Sequence, residues 1–281
     1  MTSDLLIDAH HHLWRFDPVA YDWITEQDVA LRRDFVLPEL RQMAQQAHVT
    51  GTIAVQARQS LEETRWLLQL AESEPLIRGV VGWVPLADPA LPEILDELVS
   101  PRLVGVRHVV QGESDPGFLQ QPDIVRGLSE ISRRGLSYDL LIKAHQLPQA
   151  TRCVQQFPEL RFILDHGGKP DIRHRGFATW KTDVAALAHH SNVACKLSGL
   201  VTEADPRTWT LAELEPYVRT ILDLFGPQRV LFGSDWPVCL LGTTQRQWLD
   251  ALRGWIAAWP ASDQAAVLGN NAVTWYHLES L

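Results

Sequence analysis

Residues 5–12 of the chain read LLIDAHHH, a short apolar run that ends in one aspartate and three histidines. Seven similar runs follow, and their nearly continuous apolar character is typical of parallel strands buried on both faces. Successive runs begin about 32 residues apart on average, which is the length of one strand–helix unit. The eight runs are Leu5–His10, Thr52–Gln56, Gly79–Val84, Leu103–Val109, Ser137–Ile142, Arg161–His166, Val193–Leu197 and Arg229–Asp235.

Segments with helical periodicity separate these runs, and prolines stand where several of the helices would begin. Eight alternating units predict an α/β protein with a (β/α)8 TIM barrel, for which a doubly wound open sheet is the alternative. No linker or low-complexity tract divides the chain, so we expect residues 1–281 to form a single domain, with a closing appendage after residue 260. The segments are Leu37–Gln46, Leu61–Glu72, Pro92–Val99, Asp123–Arg134, Gln149–Phe157, Trp180–His189, Leu211–Phe225 and Thr244–Trp259, and the prolines are Pro38, Pro92, Pro122 and Pro148.

Composition excludes several classes of protein. The 281 residues carry a net charge of −9, so the chain lacks the basic footprint that nucleic acid or an anionic membrane requires. Three cysteines cannot form a closed disulfide framework, the N-terminal residues lack the features of a secretory signal, and no apolar run is long enough for a transmembrane helix. We therefore expect a cytoplasmic protein with a small-molecule partner, no nucleic-acid or membrane partner and, by default, a homodimeric state.

The end of the first run carries two histidines on one face. In a barrel of this kind, the functional site is built at the carboxyl ends of the strands. Because side chains alternate along a strand, His10 and His12 are expected on one face and His11 on the other. Two imidazoles placed in this way can hold one divalent metal or together polarise a carbonyl oxygen. The sequence therefore predicts His10 and His12 as catalytic residues.

The sixth and eighth runs end in further reactive side chains. His166 ends the sixth run and is followed by two glycines and Lys169, which can project a cation over the same mouth. Asp235 ends the eighth run, where burial of an acid is costly unless the group is paired or functional. The first and eighth strands are neighbours in a closed barrel, so Asp235 can act there as a metal ligand or a general base. We predict His166 and Asp235 as catalytic residues and Lys169 as a substrate contact.

Five more residues are candidate substrate contacts. Arg107 ends the fourth run and can orient a carbonyl or carboxylate through two N–H groups. His145 lies beyond the fifth run and is equally a contact or a loop residue, whereas Gln56 is equally a partner for a polyol or a residue of the barrel interior. Trp14 and Trp236 flank the catalytic strand ends, and an indole face packs well on a sugar ring.

The chain shows no phosphate-binding loop, dinucleotide fingerprint, serine-hydrolase elbow or CxxC pair. By contrast, its motifs over about residues 7–276 resemble those of the amidohydrolase superfamily, and more narrowly those of the sugar-lactonase branch. That branch includes L-fuconolactonases and L-rhamnonolactonases and has the 2-pyrone-4,6-dicarboxylate lactonases as relatives. The motifs are DAHHHLW, GVVGWVPL, GVRH, LDHGGKP, CKLSGL and FGSDWP.

The resemblance implies an enzyme that hydrolyses a sugar lactone to the aldonic acid, with His10, His12, His166 and Asp235 as its catalytic core. It implies either one divalent metal, zinc, on His10, His12 and Asp235, or catalysis without metal. A binuclear centre is not expected, because Arg107 stands where a bridging lysine or glutamate would lie. The alternatives are a metal-dependent decarboxylase on the same barrel, a lactonase for carboxylated non-sugar lactones and a non-catalytic sugar-binding protein. Only Arg107 and Lys169 are expected as basic residues at the mouth, which favours a neutral or singly charged sugar lactone.

Overall fold

The computed structural model of the protein describes residues 5–278, and these contain eight parallel strands in one sheet. Each strand pairs with the next in chain order, as strand–helix units require. The ring closes where the His12 amide donates to the Trp236 carbonyl at 2.7 Å and the Asp235 amide donates to the His10 carbonyl at 2.8 Å. The strands are β1 Ile7–His11, β2 Gly51–Val55, β3 Ile77–Gly82, β4 Leu103–His108, β5 Ser137–Leu140, β6 Phe162–Leu164, β7 Val193–Leu197 and β8 Val230–Phe232. The predicted (β/α)8 barrel is confirmed.

Helices occupy the segments between the strands, and all four of the prolines expected at helix starts lie in first turns. Ser60 and Thr244 cap two of the helices by accepting hydrogen bonds from amides of the first turn. The helices are α1 Leu37–Ala47, α2 Leu61–Ser73, α3 Leu91–Glu97, α4 Pro122–Arg133, α5 Leu147–Gln156, α6 Phe177–Ala188, α7 Leu200–Glu203, α8 Leu211–Phe225, α9 Gln245–Ile256, α10 Ala261–Ala265 and α11 Asn271–Trp275. Within residues 5–278, no helix is both long and apolar enough to cross a membrane.

The segment after β8 closes one end of the barrel. Ala272 and Tyr276 belong to the same buried apolar cluster as Ile7, Ile53 and Leu231, which lie on three of the strands. The larger apolar cluster packs the sheet against the surrounding helices. The strands are therefore buried on both faces, which explains their nearly continuous apolar sequences.

Candidate active site

A cavity of about 540 Å³ lies at the carboxyl ends of the strands. Five of the predicted site residues line it, on strand ends and loops that are far apart in sequence. Residues of the long loop after β1 and of the loop after β2 form much of its rim. The lining includes His12, Trp23, Arg58, Arg107, His166, Lys169 and Asp235.

His10 and His12 meet Asp235 in one buried cluster. The Nε2 atoms of the two histidines lie 3.2 Å apart, and Asp235 Oδ1 lies 3.3 Å from His12 Nε2 and 3.7 Å from His10 Nε2. His12 Nδ1 donates to the Val55 carbonyl at 2.8 Å, because a carbonyl oxygen can only accept. His11 lies apart from this cluster, with its Nε2 at 3.0 Å from Thr52 Oγ1.

Asp235 is held by the seam between β1 and β8. Its backbone is left-handed, with φ of 59°, directly after Ser234. The carboxylate of Asp8 accepts hydrogen bonds from both the amide and the hydroxyl of Ser234, and also from Gln245 Nε2 at 2.8 Å. Asp8 was not predicted, although an acid within the apolar run LLIDAH was a visible signal.

The environment of Asp235 favours its carboxylate form, and burial favours the neutral form of two neighbouring imidazoles. Burial alone would raise the pKa of Asp235, but His166, His12 and His10 outweigh burial and hold it well below its usual range. Burial lowers the pKa of His166 to about 4. Burial, with a contribution from Lys196, also keeps the pKa of His10 well below its ordinary value. At neutral pH the cluster therefore combines a charged carboxylate at Asp235 with uncharged imidazoles at His10 and His166.

His166 depends on the glycines around it. The residue itself has φ of 53°, and Gly167 and Gly168 continue the turn with positive φ. Its Nδ1 lies 2.9 Å from Ser198 Oγ, which leaves Nε2 available to the cavity. A Cβ on Gly199 would lie 2.5 Å from His166 Nδ1, so only glycine admits the ring in this position. This local arrangement explains the sequence LDHGGK at the end of the sixth run.

Arg107 and Gln56 are bound to each other rather than standing free. Arg107 donates to Asp165 Oδ2 at 3.0 Å and to the Gln56 carbonyl at 2.5 Å. The side chain of Gln56 is completely buried, and its amide lies 3.4 Å from the Arg107 carbonyl. Arg107 therefore reaches the cavity in a fixed orientation. Gln56 supports it from within the barrel, as expected of a residue of the barrel interior rather than of a partner for a polyol.

Three of the predicted substrate contacts lie away from the cavity. His145 is exposed on a short turn after β5. Trp14 is fully buried and donates to the Arg33 carbonyl at 2.9 Å, and Trp236 packs edge-on against Phe35. Trp14 and Trp236 were predicted to contact the substrate at the mouth of the barrel. Both rings are instead buried, because the loops that carry them turn them inward. Trp23 is the indole that lines the cavity, and it stands edge-on against Trp14.

A buried group of charged residues lies against His10. Lys196 on β7 is fully buried, with its Nζ 2.5 Å from Asp139 Oδ2, 3.0 Å from Asp165 Oδ1 and 3.2 Å from His10 Nδ1. The hydroxyl of Tyr276 donates to Asp139 from the opposite side. Lys196 and Asp139 were not predicted as a buried pair, although a charge within each of the apolar runs VACKL and SYDLL indicates that a buried partner must compensate it.

The clustered side chains suit a divalent cation. His10, His166 and Asp235 each offer one ligand atom, and these atoms lie within 4.8 Å of one another. His166 therefore joins two of the three predicted ligands, while His12 stays in contact with both Asp235 and His10. His12 Nε2 faces a carboxylate oxygen of Asp235 3.3 Å away. Imidazole nitrogens together with a carboxylate oxygen are a common donor set for zinc.

Comparisons with known proteins agree with this architecture. The chain is 36% identical over 285 residues to an L-fucono-1,5-lactonase of Burkholderia multivorans, covering 98% of this chain and 96% of that protein. It is 35% identical over 236 residues to an L-fucono-1,5-lactonase of Burkholderia ambifaria, covering 84% of this chain and 81% of that protein. A crystal structure of an amidohydrolase from Burkholderia multivorans with bound zinc superposes with a TM-score of 0.96 at 36% identity, covering 98% of this chain and 100% of that one.

The family assignment follows from a match over almost the whole chain. The family model described as amidohydrolase matches residues 7–278, which include all eight strands and the buried cluster of His10, His12, His166 and Asp235. The resemblance that the sequence motifs predicted is confirmed, and the chain belongs to the amidohydrolase family.

Proposed function

We propose that this protein is a sugar lactonase, which adds water to the carbonyl carbon of an aldonolactone and releases the aldonic acid. The observation that carries the proposal is the placement of the Asp235 carboxylate in the cavity, 3.3 Å from His12 Nε2 and within 4.8 Å of a ring nitrogen of His166. Relatives at 35% and 36% identity are named as L-fucono-1,5-lactonases, which supports a sugar lactone as the substrate class.

The proposed reaction needs one base and several hydrogen-bond donors. Asp235 accepts a proton from water while the water oxygen bonds to the lactone carbonyl carbon. N–H groups of His166 and of Arg107, which line the cavity, stabilise the negative charge that develops on the carbonyl oxygen. The bond between the carbonyl carbon and the ring oxygen then breaks, and the proton held by Asp235 passes to that oxygen. One water is consumed, and one carboxylic acid and one hydroxyl are formed.

We also propose that the cluster holds one divalent cation through His10, His166 and Asp235, with His12 at its side. When bound, such an ion would polarise the lactone carbonyl as a Lewis acid. The residue chemistry described above supports this, as does zinc in the structure of the relative from Burkholderia multivorans. The single-domain extent over 1–281, the cytoplasmic location and the homodimer stay predictions from the sequence; residues 1–4 and 279–281 lie outside the described residues.

The charges around the cavity support a neutral substrate. Three cationic side chains line it, and each has a carboxylate partner: Arg58 with Glu62 at 3.0 Å, Arg107 with Asp165 at 3.0 Å and Lys169 with Glu203 at 3.4 Å. Asp22 and Asp235 add negative charge to the lining. A dicarboxylate would therefore meet cations that are already neutralised, whereas hydroxyl groups could share their remaining N–H donors.

A substrate panel tests the proposal. We expect hydrolysis of neutral aldonolactones, followed by acid release in weakly buffered solution, with kcat/KM at least tenfold above that for a lactone carrying two carboxylates. A preference for the carboxylated lactone would contradict the neutral substrate class. Release of carbon dioxide from an aromatic acid, without hydrolysis of any lactone, would show that the protein is a decarboxylase. Binding of a lactone without turnover would show that it is a sugar-binding protein.

Metal binding is tested without an activity readout. After dialysis against zinc and removal of free metal, we expect about one zinc per chain in the wild type and a large loss of zinc in His166→Asn, because the ring supplies one of three ligands. His174→Asn is the matched control, since His174 is exposed and forms an ion pair with Asp171, away from the cavity lining. Equal zinc content in wild type and His166→Asn would place the ion elsewhere.

A further inference from the structure

We propose that Glu63 is a positioning residue, which joins the loop after β1 to the loop after β2 and thereby holds the rim of the cavity in the shape that binds the substrate. Glu63 lies in the first turn of α2, and its side chain is buried. The effect on substrate binding rests on the lactonase function proposed above, whereas the coupling of the two loops does not.

The carboxyl group of Glu63 accepts hydrogen bonds from both loops. Its Oε2 accepts from the backbone amides of Ala57 and Arg58, both at 2.9 Å. Its Oε1 accepts from the hydroxyl of Tyr21 at 3.0 Å, across 42 positions of the sequence. A buried acceptor or donor that loses its partner is costly, so the three donors stay at this one carboxyl group. The position of one loop therefore depends on the position of the other.

The part of the first loop that carries Tyr21 is ordered by its own hydrogen bonds. In this Tyr21 segment, residues 17–24, the carboxylate of Asp17 accepts from the amides of Val19 and Ala20, both at 2.8 Å. The amide of Tyr21 donates to the carbonyl of Asp17 at 3.0 Å. These local bonds fold the segment on itself, and the hydroxyl of Tyr21 attaches it to α2.

The two loops that Glu63 joins form one wall of the cavity. His166 and Asp235 belong to other parts of the barrel, since they follow β6 and β8. A shift of either loop therefore changes the contacts with a substrate but leaves these two groups in place. The residues of this wall are Val19, Ala20, Asp22 and Trp23 from the Tyr21 segment and Ala57, Arg58, Gln59 and Ser60 from the loop after β2.

Trp23, the indole of this wall, is supported by the same contacts. The rings of Tyr21 and Trp14 pack with their centroids 6.0 Å apart, and Trp14 stands edge-on against Trp23 at 5.7 Å. The hydrogen bond from Tyr21 to Glu63 therefore also holds the support of the ring that a sugar would pack against.

Steady-state kinetics on the best lactone of the panel tests this role. Glu63→Ala should raise KM about 5–20-fold with kcat within about threefold, because apparent affinity falls with the fraction of molecules whose binding site is formed. Glu63→Gln should regain most of the affinity, since its amide oxygen can accept from the two backbone amides and its NH₂ group can donate to the Tyr21 oxygen. Equal losses in the two variants would overturn the proposal.

Glu74→Ala is the matched control for a general loss of stability. Glu74 is a second buried glutamate at the opposite end of α2, where it accepts from Arg41 Nε at 2.6 Å and from the Leu76 amide at 3.2 Å. Its replacement should lower the urea midpoint, as Glu63→Ala does, but leave KM unchanged. An equal rise of KM in both variants would show that Glu63 acts only through stability.

Hydrogen exchange measures the coupling of the loops without any substrate. In Glu63→Ala and in Tyr21→Phe we expect faster exchange in peptides that cover the Tyr21 segment, whose own amide hydrogen bonds lie within the segment. Exchange as slow as in the wild type would overturn the proposal, and so would a loss of kcat at unchanged KM. If the wild type hydrolyses no lactone, the proposed function fails, but the exchange measurement still decides whether Glu63 joins the loops.

Discussion

Replacement of Asp235 by asparagine is expected to lower kcat for lactone hydrolysis by about 10²–10⁴-fold, the usual contribution of a general base. Asparagine keeps the shape of the side chain but cannot take up the proton from water. The left-handed backbone at this position also suits asparagine, so the fold should be retained. The measurement is steady-state kinetics on the best lactone of the panel, with circular dichroism and urea midpoints as checks on folding.

Asp22→Asn is the matched control for Asp235→Asn. Asp22 lines the same cavity but is exposed on the loop after β1. Its replacement removes one negative charge from the lining without removing the proposed base, so kcat should change by no more than a few-fold. Comparable losses in the two variants would show that the overall charge of the cavity, and not a proton acceptor at Asp235, controls the rate.

A second large effect is expected on stability, at the buried pair of Lys196 and Asp139. Lys196→Met alone should lower the free energy of unfolding by about 3–5 kcal/mol, because it leaves a buried carboxylate without its cation. The double variant Lys196→Met/Asp139→Asn should recover most of that loss, since neither charge then remains and the Tyr276 hydroxyl can still donate to the amide oxygen. Urea denaturation of the four proteins in this cycle measures the coupling.

The exposed pair Arg246 and Asp250 on α9 is the control for this cycle. These residues are also joined by an ion pair, at 2.8 Å, but both side chains are about half exposed. Water screens such a pair, and its removal should leave the urea midpoint unchanged. If Lys196→Met behaved in the same way, the buried ammonium group would contribute neither to stability nor to the fixed geometry around His10.

The strands, the helices and the site residues at the strand ends could be predicted from local sequence patterns. Short apolar runs and helical periodicity predicted all eight strands and one helix after each of them, although not the short helix α7, because burial on both faces leaves a direct trace in the sequence. Alternation along β1 separated His11 from His10 and His12, as their contacts show. His166 and Asp235 were predicted because they end the sixth and eighth apolar runs, and functional sites of such barrels lie at the carboxyl ends of the strands. Both residues line the cavity.

Orientation within loops and pairing across the barrel could not be predicted in this way. No periodicity applies to the loop residues Trp14 and Trp236, and only packing against Phe35 shows that both rings turn inward. Lys196 and Asp139 lie on strands that are not neighbours in the sheet, so their contact follows from barrel closure. A charge within an apolar run shows that a partner must exist, but it does not say which one.

The contacts that join β1 to β8 should form late when the protein folds. The hydrogen bond between Ser234 and Asp8, which supports the backbone at Asp235, joins residues 226 positions apart. Closing so long a loop is entropically costly, and contacts of this separation form late and slowly. During synthesis the histidines of β1 therefore leave the ribosome long before their carboxylate partner exists. Catalytic competence should appear only in the last stage of folding, together with closure of the barrel.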